Sequence, residues 1–163
     1  MVEAGLLVGE PVELVDGLLL HVTPQGTEHA SLVQRLTGAF SARGELLRVQ
    51  LPLATPEGRP EPDVALAADA GPHALPITAE LVVEVAVSSW PEDQFKLPGY
   101  AAAGVGAAWL VNVPERAVHV FEGPLPAERR YGSERVLRRG DKLAPPVAGI
   151  APLAVDDLFV GFE

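Results

Sequence analysis

An α/β fold built on a mixed β-sheet, flanked by helices and preceded by a β-hairpin, is the class that this sequence predicts. Three observations carry it. Two apolar runs flank Asp16-Gly17, a pair that suits the left-handed backbone of a two-residue hairpin turn. Apolar side chains then recur every three or four residues through 27–42, the spacing of one helix face. Further on, short apolar runs at 63–67, 81–87 and 107–113 are separated by turn-rich loops and one more helical stretch, so strands and helices alternate.

The hairpin spans 11–22. In the helix that follows, Ala30, Leu32, Val33, Leu36, Ala39 and Phe40 form the apolar face, Thr27 stands at the N-cap and Gly44 ends the element. Residues 45–53 alternate through Leu47, Val49 and Leu51 as a half-buried strand. The stretch 55–62 is a turn-rich connection into the strand 63–67. After a loop at 68–79, the run 81–87 is continuous enough for a central strand. Ser88 or Ser89 caps the next helix, Pro91 suits its first turn, and Glu92 and Asp93 favour the positive end of its dipole. That helix runs over 91–103, and Pro98-Gly99 is expected to kink or break it near Lys96. The run 107–113 is a buried strand, with 117–121 returning as its hairpin partner. Residues 129–137 and 150–159 read as further short strands and a C-terminal turn.

At 163 residues the chain is most economically a single domain, 1–163, able to bury roughly two thirds of its unfolded surface. With 48% hydrophobic and 21% charged residues it reads as globular, and no apolar run approaches the roughly 20 residues that span a bilayer. No basic segment followed by an apolar stretch opens the sequence, so a cytoplasmic location is expected. The absence of cysteine excludes thiolate metal sites and thiol nucleophiles, leaving oxygen or histidine as metal ligands. A formal net charge of −10 repels polyanions at long range and disfavours DNA without excluding it. The one basic cluster, Arg129, Arg130, Arg135, Arg138, Arg139 and Lys142, fits a solvated strand face better than a DNA track.

Two acids stand out against this background. Asp63 opens one apolar run, and Glu84 interrupts another within Leu81-Val82-Val83-Glu84-Val85. An unpaired carboxylate taken out of water is expensive, so such acids call for a cation beside them. If the two runs are neighbouring strands, Asp63 and Glu84 converge on one spot, and Lys96 arrives from the following helix. Oxygen ligands from one or two carboxylates suit magnesium, which keeps waters and substrate phosphate for the rest. Two plainer readings compete: Asp63 after Pro62 suits a turn cap, and Glu84 with Lys96 suits a structural ion pair. Trp109 and Tyr100 read as core, and His29 as a surface or capping residue near a helix start.

In this order, Asp63, then Val83-Glu84-Val85, the Ser88-Ser89 pair, an acid and Lys96, then Tyr100-Ala101-Ala102-Ala103-Gly104-Val105 and Trp109-Leu110-Val111-Asn112, the sequence resembles the PD-(D/E)XK nuclease superfamily. The nearer likeness is to its large bacterial branch of putative restriction endonucleases, with Glu13, Asp16-Gly17 and His29 also in place, and it covers 13–121. The resemblance implies a restriction-endonuclease-like fold and a Mg²⁺ (or Mn²⁺) dependent nuclease that hydrolyses DNA with metal-activated water. By the same resemblance Asp63 and Glu84 are the metal-binding acids, Lys96 is the catalytic lysine carried on the helix, and Glu13 and His29 are accessory. The superfamily's usual lysine position holds Ala86, Val87 stands where relatives often carry an acid, and either Glu92 or Asp93 matches the acid before Lys96. The other reading is a catalytically silent homodimeric binding or assembly module of the same fold. A homodimer is expected under both.

Overall fold

The computed structural model describes residues 12–21 and 25–162. A hairpin of β1 (Val12–Val15) and β2 (Leu18–His21) comes first, followed by α1 (Thr27–Phe40) and a short 3₁₀ turn, Ser41–Arg43. Then come β3 (Leu47–Val49), β4 (Val64–Leu66), β5 (Leu81–Ala86), α2 (Trp90–Ala102), β6 (Ala107–Asn112) and β7 (Ala117–Leu125). After β8 (Arg130–Leu137), a small pair of β9 (Lys142–Leu143) and β10 (Leu153–Ala154) leads into α3 (Val155–Leu158). Six strands form one sheet in the order β3-β4-β5-β6-β7-β8. Its pairings are antiparallel except β5 with β6, which run parallel with α2 as their crossover. This is the mixed, helix-flanked α/β fold expected, with the hairpin pairing as its own sheet.

Alternation along the strands sends side chains to two unequal cores. Val64, Leu66, Val83, Val85, Trp109 and Val111 face α1 and α3 in the larger one, where Phe40 meets Trp109 edge-on at 6.0 Å between ring centroids. On the other face Ala65, Ala67, Val82 and Ala108 are small, and Tyr100 of α2 packs down onto them. Glu84 continues the line of Val82 on that second face, where the apolar packing gives out.

Several local expectations need correction. The strand expected over 45–53 stops at Val49 because Gln50 has φ +51, a left-handed backbone that ends the ladder. Gly26, not Thr27, is the N-cap of α1, which ends at Phe40; Gly44 follows the 3₁₀ turn. Ser89 occupies the N-cap of α2 without capping its backbone, because its hydroxyl donates to Asp93 instead. Pro98 does not break α2. The proline removes one bond to the carbonyl of Gln94, and the helix runs on through it to Ala102. β7 runs on to Leu125, and 150–159 holds a two-residue strand and one helical turn. Pro11 and Val22, the expected hairpin ends, lie outside the described residues. Among the described residues no helix is long and apolar enough to cross a membrane.

Arg35 fastens the C-terminal turn to α1. Its guanidinium donates to the carbonyls of Leu158 and Val160 at 2.7 Å each and lies over the Phe162 ring, 5.3 Å from the centroid. Arg35→Ala removes both charged hydrogen bonds from a half-exposed site. We expect a loss of about 1–3 kcal/mol in urea unfolding, read as a lower midpoint at unchanged slope.

Candidate functional site

The site gathers where β4 and β5 meet the start of α2. In the β4–β5 ladder Val64 pairs with Val83 and Ala65 with Val82, so the register carried one residue on sets Asp63 opposite Glu84. Asp63 is fixed there: its Oδ2 accepts the Val85 backbone N–H at 2.8 Å. On α2, Asp93, Lys96 and Tyr100 are spaced by three and four residues and share the face turned to the sheet. The start of α2 is pinned independently, by Trp90 packed on His119 of β7 with ring centroids 4.7 Å apart.

Lys96 ends in a knot of acids. Its Nζ lies 3.0 Å from Glu13 Oε2, 3.3 and 3.4 Å from the two Glu84 oxygens, and 3.6 Å from Asp93 Oδ1. Tyr100 Oη donates to Glu84 Oε1 at 2.5 Å. His29 Nε2 lies 2.9 Å from Asp63 Oδ1, an arrangement that keeps the proton on Nε2 and leaves Nδ1 buried without a partner among the described residues. Gln25 Nε2 reaches the same Asp63 oxygen at 3.5 Å and is itself held by Gln50. Glu13, His29, Asp63, Glu84, Asp93 and Lys96 are each less than 9% exposed.

Glu13 arrives from the hairpin, and the hairpin is docked by a close backbone approach. Arg59 N–H donates to the Leu14 carbonyl at 2.8 Å, and a Cβ on Gly58 would lie 2.2 Å from that same oxygen. Only glycine permits this contact. At the turn, Arg129 bridges Asp16 and Glu57 and ties the hairpin tip to the far end of the sheet.

Burial and charge oppose each other here. Removal from water pushes the Glu84 carboxyl well up, with Lys96 pulling the other way and Asp93 and Asp63 adding to the rise. Burial likewise raises Asp93, against the pull of Lys96 and the Ser89 hydrogen bond. Burial alone would lower Lys96, yet Glu84, Glu13 and Asp93 outweigh it and hold the ammonium charged far above its ordinary range. Burial and then Glu84 raise the Tyr100 hydroxyl, which stays a donor. Three carboxylates thus lie against the one ammonium, with that of Asp63 buried beside them, a net negative charge that favours a further cation or protons.

The sign of the pH dependence follows. Glu84 and Asp93 bind protons at higher pH in the folded chain than at their ordinary 4.5 and 3.8. The stability those protons contribute is full below the ordinary values and is lost as pH rises through the folded ones. Without metal, urea unfolding should therefore show a more stable protein at about pH 5 than at about pH 8. A profile rising toward pH 8 would contradict the burial account.

The cluster opens on a cavity of about 640 Å³, lined among others by Gly26, His29, Ser88, Ser89 and Glu92. All five residues singled out in the sequence, Glu13, His29, Asp63, Glu84 and Lys96, meet along it. Of Glu92 and Asp93, Asp93 turns inward to Lys96, and Glu92 is exposed at the rim. Tyr100, read as core only, is core through its ring and site through its hydroxyl. Its seven-residue spacing from Asp93 was the signal for this. Gln25 and Gln50 carried none.

A family model described as Uma2, putative restriction endonuclease, matches residues 8–156. No curated protein matches the chain. Among solved structures, the fold is similar to a crystal structure of a putative nuclease belonging to DUF820 from Anabaena variabilis. The TM-score is 0.73 at 18% sequence identity, covering 91% of this chain and 89% of that one. The structural likeness bears on the fold, and the family match spans nearly the whole chain. On that match, the chain belongs to the Uma2 family of putative restriction endonucleases.

Proposed function

We propose that this chain is a nuclease that hydrolyses phosphodiester bonds of DNA with a divalent cation, Mg²⁺ or Mn²⁺, held by Asp63 and Glu84. The observation that carries the reading is the inward Lys96, buried against Glu84 beside the ladder position that faces Asp63. Restriction-endonuclease-like families generally use divalent metals. The donor set fits one: hard carboxylate oxygens, an excess of buried negative charge, and a wall open to solvent. Among the described residues no group of three or more His, Asp or Glu side chains is placed to hold a metal ion. That suits an ion that takes one or two protein carboxylates and leaves room for water and phosphate.

When bound, the cation supplies Lewis-acid polarisation of the phosphate and makes water a stronger nucleophile near neutral pH. The chain's own residues do the rest. Val85 N–H and His29 fix the Asp63 carboxylate, and Tyr100 fixes Glu84, so both oxygen donors are oriented in advance. Lys96, held charged, places a positive group where charge grows on the phosphate oxygens. Glu13 and Asp93 hold that ammonium in place.

The test is hydrolysis of single-stranded, duplex and branched DNA with Mn²⁺, run beside Asp63→Asn. Outer partners of a metal ligand alone are worth about 10- to 100-fold, so loss of the ligand should exceed about 100-fold. If no DNA form, a dinucleotide included, is cut by the unmodified protein, the reading is abandoned. Lys96 turns inward to the acids and not out to solvent, which favours the enzymatic reading over a silent module. The homodimer belongs to the proposal through the exposed hairpin residues Leu14, Leu18 and Leu19, and light scattering checks it.

A further inference from the structure

We propose that the site takes an isolated phosphodiester of nucleotide size, such as a dinucleotide or a single-stranded end, and not a length of duplex. The inference rests on the nuclease reading above and narrows its substrate. Its basis is where the cations are. All 12 lysines and arginines fall within the described residues, and only Lys96 lines the cavity. Among the described residues six acids line it with Lys96: Glu13, Glu61, Asp63, Glu84, Glu92 and Asp93.

The other cations are neutralised or elsewhere. Arg43, Arg129, Arg130, Arg135, Arg138 and Arg139 each lie against a carboxylate of the chain. The five arginines of the basic cluster seen in the sequence are therefore paired, with Asp16 and Glu57, Glu128, Glu122, Glu115 and Asp156 in turn, and only its Lys142 makes no ion pair among the described residues. Arg35 is committed to the C-terminal carbonyls. Arg48, Arg59, Arg116 and Lys142 do not line the cavity.

A protein that tracks duplex DNA neutralises roughly 6–10 phosphates. Here the cavity offers an anion Lys96 and the first turn of α1, which opens onto it at Gly26 and His29 and has no side-chain cap among the described residues. That provision matches one phosphate. Flanking phosphates of a duplex would meet Glu61 and Glu92 at the rim, two exposed acids. The volume, about 640 Å³, falls within the roughly 300–1,000 Å³ of small-ligand cavities. In the reaction, water oxygen bonds to phosphorus as one P–O ester bond breaks. The leaving oxygen keeps the bonding pair and takes up the proton lost by water, giving an alcohol and a phosphomonoester.

The experiment compares a thymidine dinucleotide, a single-stranded oligonucleotide and a covalently closed plasmid, each with Mn²⁺, with Glu84→Gln as the site control. We expect the dinucleotide or the strand ends to be hydrolysed, which of them telling the natural source apart, with the closed plasmid left intact. For a single phosphate contact, kcat/KM should fall only about three- to fourfold between 50 and 200 mM salt. Plasmid cut as fast as the dinucleotide, or a fall of about 10³ or more over that salt range, would overturn the inference and leave the nuclease reading standing. No cleavage of any substrate would remove both.

Discussion

Replacing Lys96 with methionine should cost the metal-free fold about 3–5 kcal/mol near neutral pH, the loss expected when one partner of a buried charge cluster is removed. Methionine keeps the unbranched stem and deletes the charge, so packing is nearly preserved and electrostatics decide the outcome. Glu13, Glu84 and Asp93 all lie within 3.6 Å of Nζ, and the lysine side chain is 9% exposed. This is far from a surface pair, which is worth about 0–1 kcal/mol. Urea unfolding at unchanged slope measures it. The deficit should shrink toward pH 5, because the stranded acids can then take protons, and Glu84 and Asp93 already bind them readily. A loss below about 1 kcal/mol would mean that water reaches the cluster freely.

Glu84→Gln should separate stability from chemistry. The amide has nearly the same shape; its carbonyl can accept from Lys96 while its NH₂ donates to Tyr100 Oη, both partners already being in reach. It deletes a charge that burial disfavours, so stability should change by no more than about 1 kcal/mol. Metal-dependent hydrolysis should fall by more than about 100-fold, since a neutral amide is a poor ligand for a hard cation. If instead the variant unfolds and hydrolysis per folded molecule is unchanged, Glu84 is a structural ion-pair residue only.

Much of this was legible in the sequence because it was local. Asp16-Gly17 announces its turn by chemistry, and both residues take positive φ, 50° and 74°. Asp63 and Glu84 were visible because an acid in an apolar run must be accounted for wherever the run folds. What was not legible depends on contacts distant in sequence. Proline statistics suggested a break at Pro98, yet α2 is held on both sides of it, by Lys96 in the acid cluster and by Tyr100 on the sheet. Alternation extends the expected strand through Leu51 and Leu53, whereas Gln50 turns left-handed and donates its N–H to the Asp63 carbonyl. The fit of Gly58 against Leu14, which brings Glu13 to the site, links a loop to the hairpin strand β1, which no periodicity connects.

The central claim is that the charge excess around Asp63 and Glu84 is a place for a divalent cation. Calorimetric titration of the folded protein with Mn²⁺ near neutral pH tests it most directly. The account predicts saturable binding to the unmodified chain that is lost in both Glu84→Gln and Asp63→Asn while each variant remains folded. Absence of binding to the unmodified chain, or binding undiminished in both variants, would contradict it.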